Sequence, residues 1–356
     1  MKDLKYRQIV NYYKDKIKNN EISQGDKIAT EAELQSKFDV SRHTVRRALE
    51  VLEKENYIYK EKSVGCFVKK SEGFQENIVV VITTHVSDYI FPYIIRGIQD
   101  VLSKNGFDIM LLSTNNDKDK EAMQLEKLLS YNIKGAIIEP TNSAKDNINK
   151  KYYDELFKRN IPFVTINSYY ENYNNPYVIM KDKKGGYIAT KHLLELGHKN
   201  VAGIFKEDDM QGVMRKDGYL EALEEFNINI DKSLIGSYKS SDEDFYPYAF
   251  VKNLLKNNKE LTGIVCYNDK IAMQVILALK ELEKKVPEDV SIVGYDNKWS
   301  YINGMEDGIT SVEHPKEDLG IKAGEILLDM MENNSRNNSP YKFEPKLIIK
   351  NSTKKI

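Results

Sequence analysis

The chain has 356 residues, 41% of them hydrophobic and 30% charged, a globular composition long enough for two or three domains with substantial cores. Its net charge of −1 hides an asymmetry: residues 1–70 hold 16 Lys and Arg against 11 Asp and Glu, leaving 37 against 43 beyond, so a basic head that suits a polyanion precedes an acidic body. No apolar run approaches the ~18–20 residues that span a bilayer, no apolar signal core opens the chain, and Cys66 and Cys266 form neither a disulfide framework nor a ligand cluster, a pattern that excludes membrane-spanning and disulfide-scaffold classes and predicts a cytoplasmic protein.

The first element is a helix. Tyr6, Ile9, Val10, Tyr13 and Ile17 recur at helical spacing, and the pattern stops near Asn19-Asn20, before a turn at Gln24-Gly25-Asp26. Thr30 to Leu52 then reads as two helices joined by a tight turn. Thr30 is a candidate N-cap with Glu33 at capping-box spacing. Ala32, Leu34 and Phe38 supply the buried side of the first short helix, Asp39-Val40 the turn, and Ser41 the second N-cap. Val45, Ala48, Leu49 and Leu52 form one apolar stripe, and the opposite face carries Arg42, His43, Thr44, Arg46 and Arg47. Donors and cations in the first turns of a short helix, packed on another, suit the major groove of DNA. A solvated basic face on an ordinary helix pair is the plainer reading, and the surroundings weaken it. Tyr57-Ile58-Tyr59 and Cys66-Phe67-Val68 are strand-like runs around a basic-tipped segment, Lys60 to Gly65. Three helices and a hairpin in residues 1–70 make an N-terminal winged helix-turn-helix domain of α+β class.

From Tyr6 to Val68 the sequence resembles the DNA-binding domain of the GntR family, on the strength of KIATEAEL, FDVSRHTVRRAL and the closing GCFV. It departs from that pattern at Ala29, where the family has Pro, and at Ser63, Val64 and Cys66, where the wing tip is less glycine-rich. The outer face of the second helix offers Arg42, His43 and Arg46 to base edges, with Ser41 and Thr44 beside them. Arg47 either turns toward the DNA backbone or is a surface cation. Glu31 complements the helix dipole, and the resemblance implies that it can reach DNA or orient an arginine. Lys5 and Tyr6 are phosphate-contact candidates, and Lys62 and Gly65 are the wing candidates.

Residues 71–76 are polar and aperiodic, a linker. Strands and helices then alternate. Ile78 to Ile82 is a strand, Ile94 to Lys104 a helix, Phe107 to Leu112 a strand, Asp119 to Ser130 a helix, Gly135 to Ile138 a strand, Tyr152 to Arg159 a helix and Phe163 to Ile166 a strand. The rhythm restarts with helices at Gly185 to Leu196, Gly212 to Phe226, Phe250 to Asn257 and Ile271 to Glu283, and strands at Val201 to Phe205, Gly263 to Cys266 and Val290 to Val293. Such alternation implies parallel sheets covered by helices, and two runs of it imply two lobes in residues 77–356 with a ligand between them at the strands' carboxyl ends. LGHKNVAGI, RKDGY, VPEDVSIVGYDN and TSVEHPKEDLG resemble the effector domain of the LacI/GalR family, an α/β two-lobed fold shared with periplasmic sugar-binding proteins. A GntR-type head on such a body is similar to the arabinose-responsive repressors of bacterial pentose utilisation. The resemblance implies a homodimer on double-stranded operator DNA, released by a sugar effector, L-arabinose.

A sugar site needs Asp, Asn, Arg and aromatic side chains close together, because hydroxyls both donate and accept and the ring faces are apolar. Tyr89 and Phe91 follow the first strand of the body, Glu139 follows Ile138, Asn268 and Asp269 follow Cys266, and Asp296 follows Gly294. Asp269 reads more readily as a helix N-cap than as a ligand contact, and Phe91 as either a stacking platform or cleft packing. By resemblance, Arg215, Asn268 and Asp296 match positions that hold sugar hydroxyls. Asn167, Trp299 and His314 are rim or floor candidates. No nucleophile elbow, phosphate loop or zinc-protease signature is present, so no catalytic residue, metal or cofactor is expected. A sugar-binding protein without a regulatory role, or a regulator responding to another sugar, stands as the alternative.

Overall fold

In the computed structural model, which describes residues 2–18, 21–55, 57–61, 64–69, 77–87, 89–258, 260–298, 308–333 and 339–356, the chain divides into Met1–Gln75 and Glu76–Ile356. The head contains α1 (Lys2–Lys18), α2 (Glu31–Phe38), α3 (Arg42–Lys54) and an antiparallel hairpin of β1 (Ile58–Glu61) and β2 (Gly65–Val68). Thr30 caps α2 through a complete capping box with Glu33, and Asp39 ends it in the left-handed region. Ser41 caps α3, its Oγ accepting from Thr44 N–H at 3.3 Å. Ile9, Val10 and Tyr13 meet Leu34, the stripe Val45, Ala48, Leu49 and Leu52, and the hairpin residues Ile58 and Val68 in one core. Ala32, expected on the buried side, is exposed, and Phe38 is half-buried. Leu34 is the fully buried residue of this helix. Where the GntR pattern has Pro, the Ala29 N–H donates to the Tyr13 hydroxyl at 3.2 Å and ties this turn to α1. The expected linker, 71–76, lies outside the described residues.

The body holds two six-stranded sheets. The first contains β3 (Ile78–Thr83), β4 (Asp108–Ser113), β5 (Gly135–Ile138), β6 (Phe163–Ile166), β7 (Tyr177–Met180) and β13 (Tyr341–Phe343), in the order β13-β7-β6-β5-β3-β4 and parallel throughout. Its helices are α4 (Phe91–Lys104), α5 (Lys118–Ser130), α6 (Lys150–Lys158) and α11 (Lys316–Asn333). The second sheet contains β8 (Val201–Lys206), β9 (Ile235–Tyr238), β10 (Gly263–Cys266), β11 (Ser291–Asp296), β12 (Thr310–Glu313) and β14 (Lys346–Ile348), in the order β14-β12-β11-β10-β8-β9 with only β14 antiparallel. Around it lie α7 (Asp182–Glu195), α8 (Met210–Glu225), α9 (Tyr246–Asn257) and α10 (Asp269–Glu281). Each sheet carries an apolar core on both faces, which is why β3, β5, β6, β8, β10 and β11 are buried along their whole length.

The chain crosses between lobes three times: from β7 to α7, from β12 to α11, and from β13 to β14. Strands β7, β9, β12, β13 and β14 and helix α11 were not anticipated. The strands are three or four residues long, and β9, β12, β13 and β14 lack the continuous apolar run that marks the equally short β5, β6 and β10. Helix α11 holds Gly320 and Gly324 in its interior, which lowers helix propensity. The close packing of α11 on α4 needs the first of them, because a Cβ at Gly320 would strike the Ile94 carbonyl. Among the described residues no helix is long and apolar enough to cross a membrane.

Candidate functional site

Packing of Val45, Ala48, Leu49 and Leu52 into the head core turns Arg42, His43, Arg46 and Arg47 outward, all exposed. Glu31, in the first turn of α2, organises two of them. Its Oε2 accepts from Arg42 Nε at 2.8 Å and its Oε1 from Arg46 Nε at 3.1 Å. The hydrogen bond from Arg42, joined by Arg46, lowers the Glu31 pKa. Exposed ion pairs of this kind add little stability, but they fix two guanidinium planes, and a planar fork reads a guanine edge only when it is oriented. Arg47 leans on α1, its guanidinium 4.4 Å from the Tyr6 ring centroid. Lys5 Nζ donates to the Asp39 carbonyl at 3.2 Å, at the turn between α2 and α3. Thr44 Oγ1 lies 2.9 Å from Ser41 Oγ, so both hydroxyls serve the helix start. Gly65 has φ +142°, a backbone conformation that other residues rarely adopt, so this corner of the wing favours glycine. Lys62 lies outside the described residues.

In the body, a cavity of about 80 Å³ lies at the carboxyl ends of both sheets. Tyr89, Phe91, Glu139, Asn167, Arg215, Asn268 and Asp296 all line it, so the structure brings together seven of the nine candidates. From the first lobe, Glu139 Oε2 accepts from the Thr84 N–H (2.7 Å) and Oγ1 (2.8 Å), and its Oε1 accepts from Asn167 Nδ2 at 2.8 Å. Burial raises the Glu139 pKa, and those donors oppose the shift. From the second lobe, Arg215 is 3% exposed. Its Nε donates to Asp182 Oδ1 at 2.8 Å and its Nη1 to the Tyr267 carbonyl at 2.9 Å. Its guanidinium lies 3.5 Å from the Tyr295 ring centroid. Asp296 Oδ1 stands 3.9 Å from Arg215 Nη2. Burial raises the Asp296 pKa and Arg215 opposes it. Two buried acceptors, Asp296 Oδ1 and Asn167 Oδ1, have no hydrogen-bond partner among the described residues. The cavity thus offers acceptors, a cation and an aromatic wall to a polyhydroxylated ligand.

Contacts across the cleft hold the lobes together. The Tyr89 hydroxyl accepts from the Asp269 N–H at 3.2 Å, Asn116 Nδ2 donates to Ser240 Oγ at 2.6 Å, and the Met210 N–H donates to Ser143 Oγ at 2.9 Å. Tyr89 itself sits at φ +55°.

Similarity to known proteins settles the family. The chain is 38% identical to an arabinose metabolism transcriptional repressor of Geobacillus stearothermophilus, covering 99% of this chain and 98% of that one. It is 36% identical to its counterpart from Halalkalibacterium halodurans, over 99% and 97%. The chain belongs to the arabinose metabolism transcriptional repressor family. Members of this family are DNA-binding regulators rather than enzymes. Residues 5–68 match the model of bacterial regulatory proteins of the gntR family, and residues 190–353 a periplasmic binding protein-like domain. Among solved structures, the transcription regulator CcpA of Lactococcus lactis is 27% identical with a TM-score of 0.68, covering 78% of this chain and 99% of that one. A LacI family regulator from Enterococcus faecium with bound ribose is 25% identical with a TM-score of 0.66, over 79% and 100%.

Within this repressor fold three expectations change. Asn268, not Asp269, caps α10: its Oδ1 accepts from the Ile271 N–H at 3.0 Å, so one end of the amide serves the helix. Asp269 is the first helical residue, buried, and its carboxylate accepts from Ser311 Oγ and the Lys298 N–H, both at 2.7 Å. His314, expected at the rim or floor, is 2% exposed and does not line this cavity; it sits at the crossover from β12 to α11, where burial drives its pKa down. Trp299 lies outside the described residues. Sequence reasoning overlooked Lys206, Asp209, Glu243 and Tyr267, which also line the cavity. Lys206 Nζ lies 3.5 Å from Asp209 Oδ2 and 3.6 Å from Glu243 Oε2. Burial works against its charge, and Asp209 and Glu243 more than restore it. The strand-end rule that selected Asn268 and Asp296 also points to Lys206, the last residue of β8.

Proposed function

We propose that this protein is a cytoplasmic, homodimeric repressor of arabinose utilisation genes that holds double-stranded operator DNA through its winged-helix head and releases it when L-arabinose enters the cleft of the body. The observation that carries the effector reading is the pair of orphan acceptors, Asp296 Oδ1 and Asn167 Oδ1, beside the buried Arg215. Sugar hydroxyls satisfy them, while Arg215 and Asn268 donate to ring or hydroxyl oxygens and Tyr89 and Phe91 pack on the apolar face. The two relatives matched over nearly their whole length are arabinose metabolism transcriptional repressors, which supports the choice of sugar. At the DNA, Arg42, His43 and Arg46 read base edges with Glu31 holding the two arginines. Ser41, Thr44, Arg47, Lys5 and Tyr6 meet the phosphate backbone, and Lys62 and Gly65 bring the wing to it. Sugar and operator are coupled because each favours a different arrangement of the lobes.

The test is calorimetry of the full-length protein with L-arabinose, D-ribose and D-glucose, followed by an operator shift assay with whichever sugar binds. Binding of L-arabinose that lowers operator affinity is the expected result. D-Ribose as the binder and inducer would replace arabinose in this reading.

A further inference from the structure

Beside the cleft, between the same two lobes, lies a larger cavity of about 540 Å³ that the effector reading leaves unused. Asn167, Ser168 and Gln211 line both spaces and so form the partition between them. The partition side of this chamber seeks a hydroxyl group. Ser168 is 4% exposed, yet its Oγ lacks a hydrogen-bond partner among the described residues. A buried polar atom left this way is costly, and a ligand group that bonds it removes the cost.

The walls are of a different kind. Ile179, Met180, Met210, Met214, Tyr169 and Tyr187 line them, and Tyr169 is fixed by parallel stacking on Tyr177 at 4.0 Å. Thioethers beside rigid rings make a slot for a flat aromatic group. At the mouth stand Lys181, Lys183, Lys184 and Lys342 with Glu171, and Lys183 is paired with Glu221 at 2.7 Å. Asp182, the remaining acid of the lining, is committed to Arg215 at 2.8 Å. Lys181 and Lys184 share a single carboxylate, Glu344.

We propose that this chamber binds a hydroxylated aromatic carboxylate alongside the sugar: hydroxyl on Ser168, ring between the methionines and Tyr169, carboxylate at the lysine rim. Its volume falls within the range of small-molecule sites. Both lobes build it, through Tyr169 and Met180 on one side and Met210 and Met214 on the other, so an occupant stabilises the lobe arrangement in which the chamber exists.

The experiment is calorimetry of the full-length protein with 4-hydroxycinnamate, with and without saturating L-arabinose. One-site binding that persists with the sugar present is expected. Ser168→Ala should weaken it about threefold to tenfold. Met214→Trp, which fills the chamber, should abolish it, and Lys184→Glu should weaken it, while both bind L-arabinose as the wild type does. No binding to the wild type at millimolar probe, displacement of the probe by L-arabinose, or binding that survives both Ser168→Ala and Met214→Trp overturns the proposal. Failure of L-arabinose itself to bind would count against the effector reading alone, since the probe titration is read without it.

Discussion

Asp296 ends β11 at φ +91°, a backbone region that favours glycine, with its carboxylate buried and one oxygen unsatisfied. Strain and an orphan acceptor at one residue are what a binding site retains and a plain core discards. Asp296→Ala should therefore lower L-arabinose affinity at least tenfold, the loss of roughly 1.5–3 kcal/mol for a charge-assisted bond, and leave operator affinity intact. Calorimetry paired with a shift assay decides it, and wild-type sugar affinity in the variant would move the cleft elsewhere. The neighbouring Asp269 behaves differently. Burial, followed by the charge of Asp296, raises its pKa from 3.8 to about 7. A carboxyl raised in the folded state keeps its proton where the unfolded chain has lost it. Its contribution to stability is full below pH 3.8 and declines as pH rises through about 7. Urea unfolding from pH 4 to pH 8 should show that decline, with a slope of up to about 1.4 kcal/mol per pH unit. Asp269→Asn should flatten it, and equal slopes in the two proteins would show that another group is responsible. Most of the cleft was legible because strand ends in an α/β sheet are marked by where apolar runs stop. Asn268 and Asp269 were transposed as cap and contact because either side chain can cap, and only the N–H of Ile271 shows which one does.

At the scale of elements, α3 combines three sequence signals that agree: a capping serine, an apolar stripe of period 3.6, and cations opposite it. That agreement is why the helix was legible to within a residue or two. Glu31 adds what one helix cannot show, a link from α2 that holds Arg42 and Arg46 in place. Arg46→Ala should cost ~1–3 kcal/mol of specific operator binding with sugar binding unchanged. Glu31→Gln should produce a smaller loss and relax base preference at the positions Arg42 and Arg46 contact. Competition assays against single-base operator variants measure both, and a folded Arg46→Ala protein with wild-type affinity removes Arg46 from the interface. The elements that escaped the sequence share a physical cause. Strands β13 and β14 are three residues each and take their conformation from the sheets they border. Helix α11 is held by close backbone approach at Gly320, a tertiary effect that local pattern does not report.

At the scale of the whole molecule, the head has its own core and the body has cores of its own, and operator and sugar are related by thermodynamic linkage. In a dimer, joining two heads makes the second half-site contact intramolecular, at an effective concentration that exceeds the bulk value. Residues 1–75 alone should bind operator far more weakly than the full chain at equal salt, and matching affinities would refute the dimeric reading. Linkage also fixes a second, stricter outcome. If L-arabinose lowers operator affinity by some factor, operator must lower L-arabinose affinity by the same factor. A coupling of 1–3 kcal/mol, or roughly fivefold to 150-fold, is the usual range. The measurement is a titration of L-arabinose into the wild type with and without a saturating operator duplex, compared with the sugar dependence of operator release. Equal factors establish that sugar binding and operator binding are linked. Sugar affinity untouched by operator would mean that the sugar favours neither lobe arrangement over the other, and release would need a different cause.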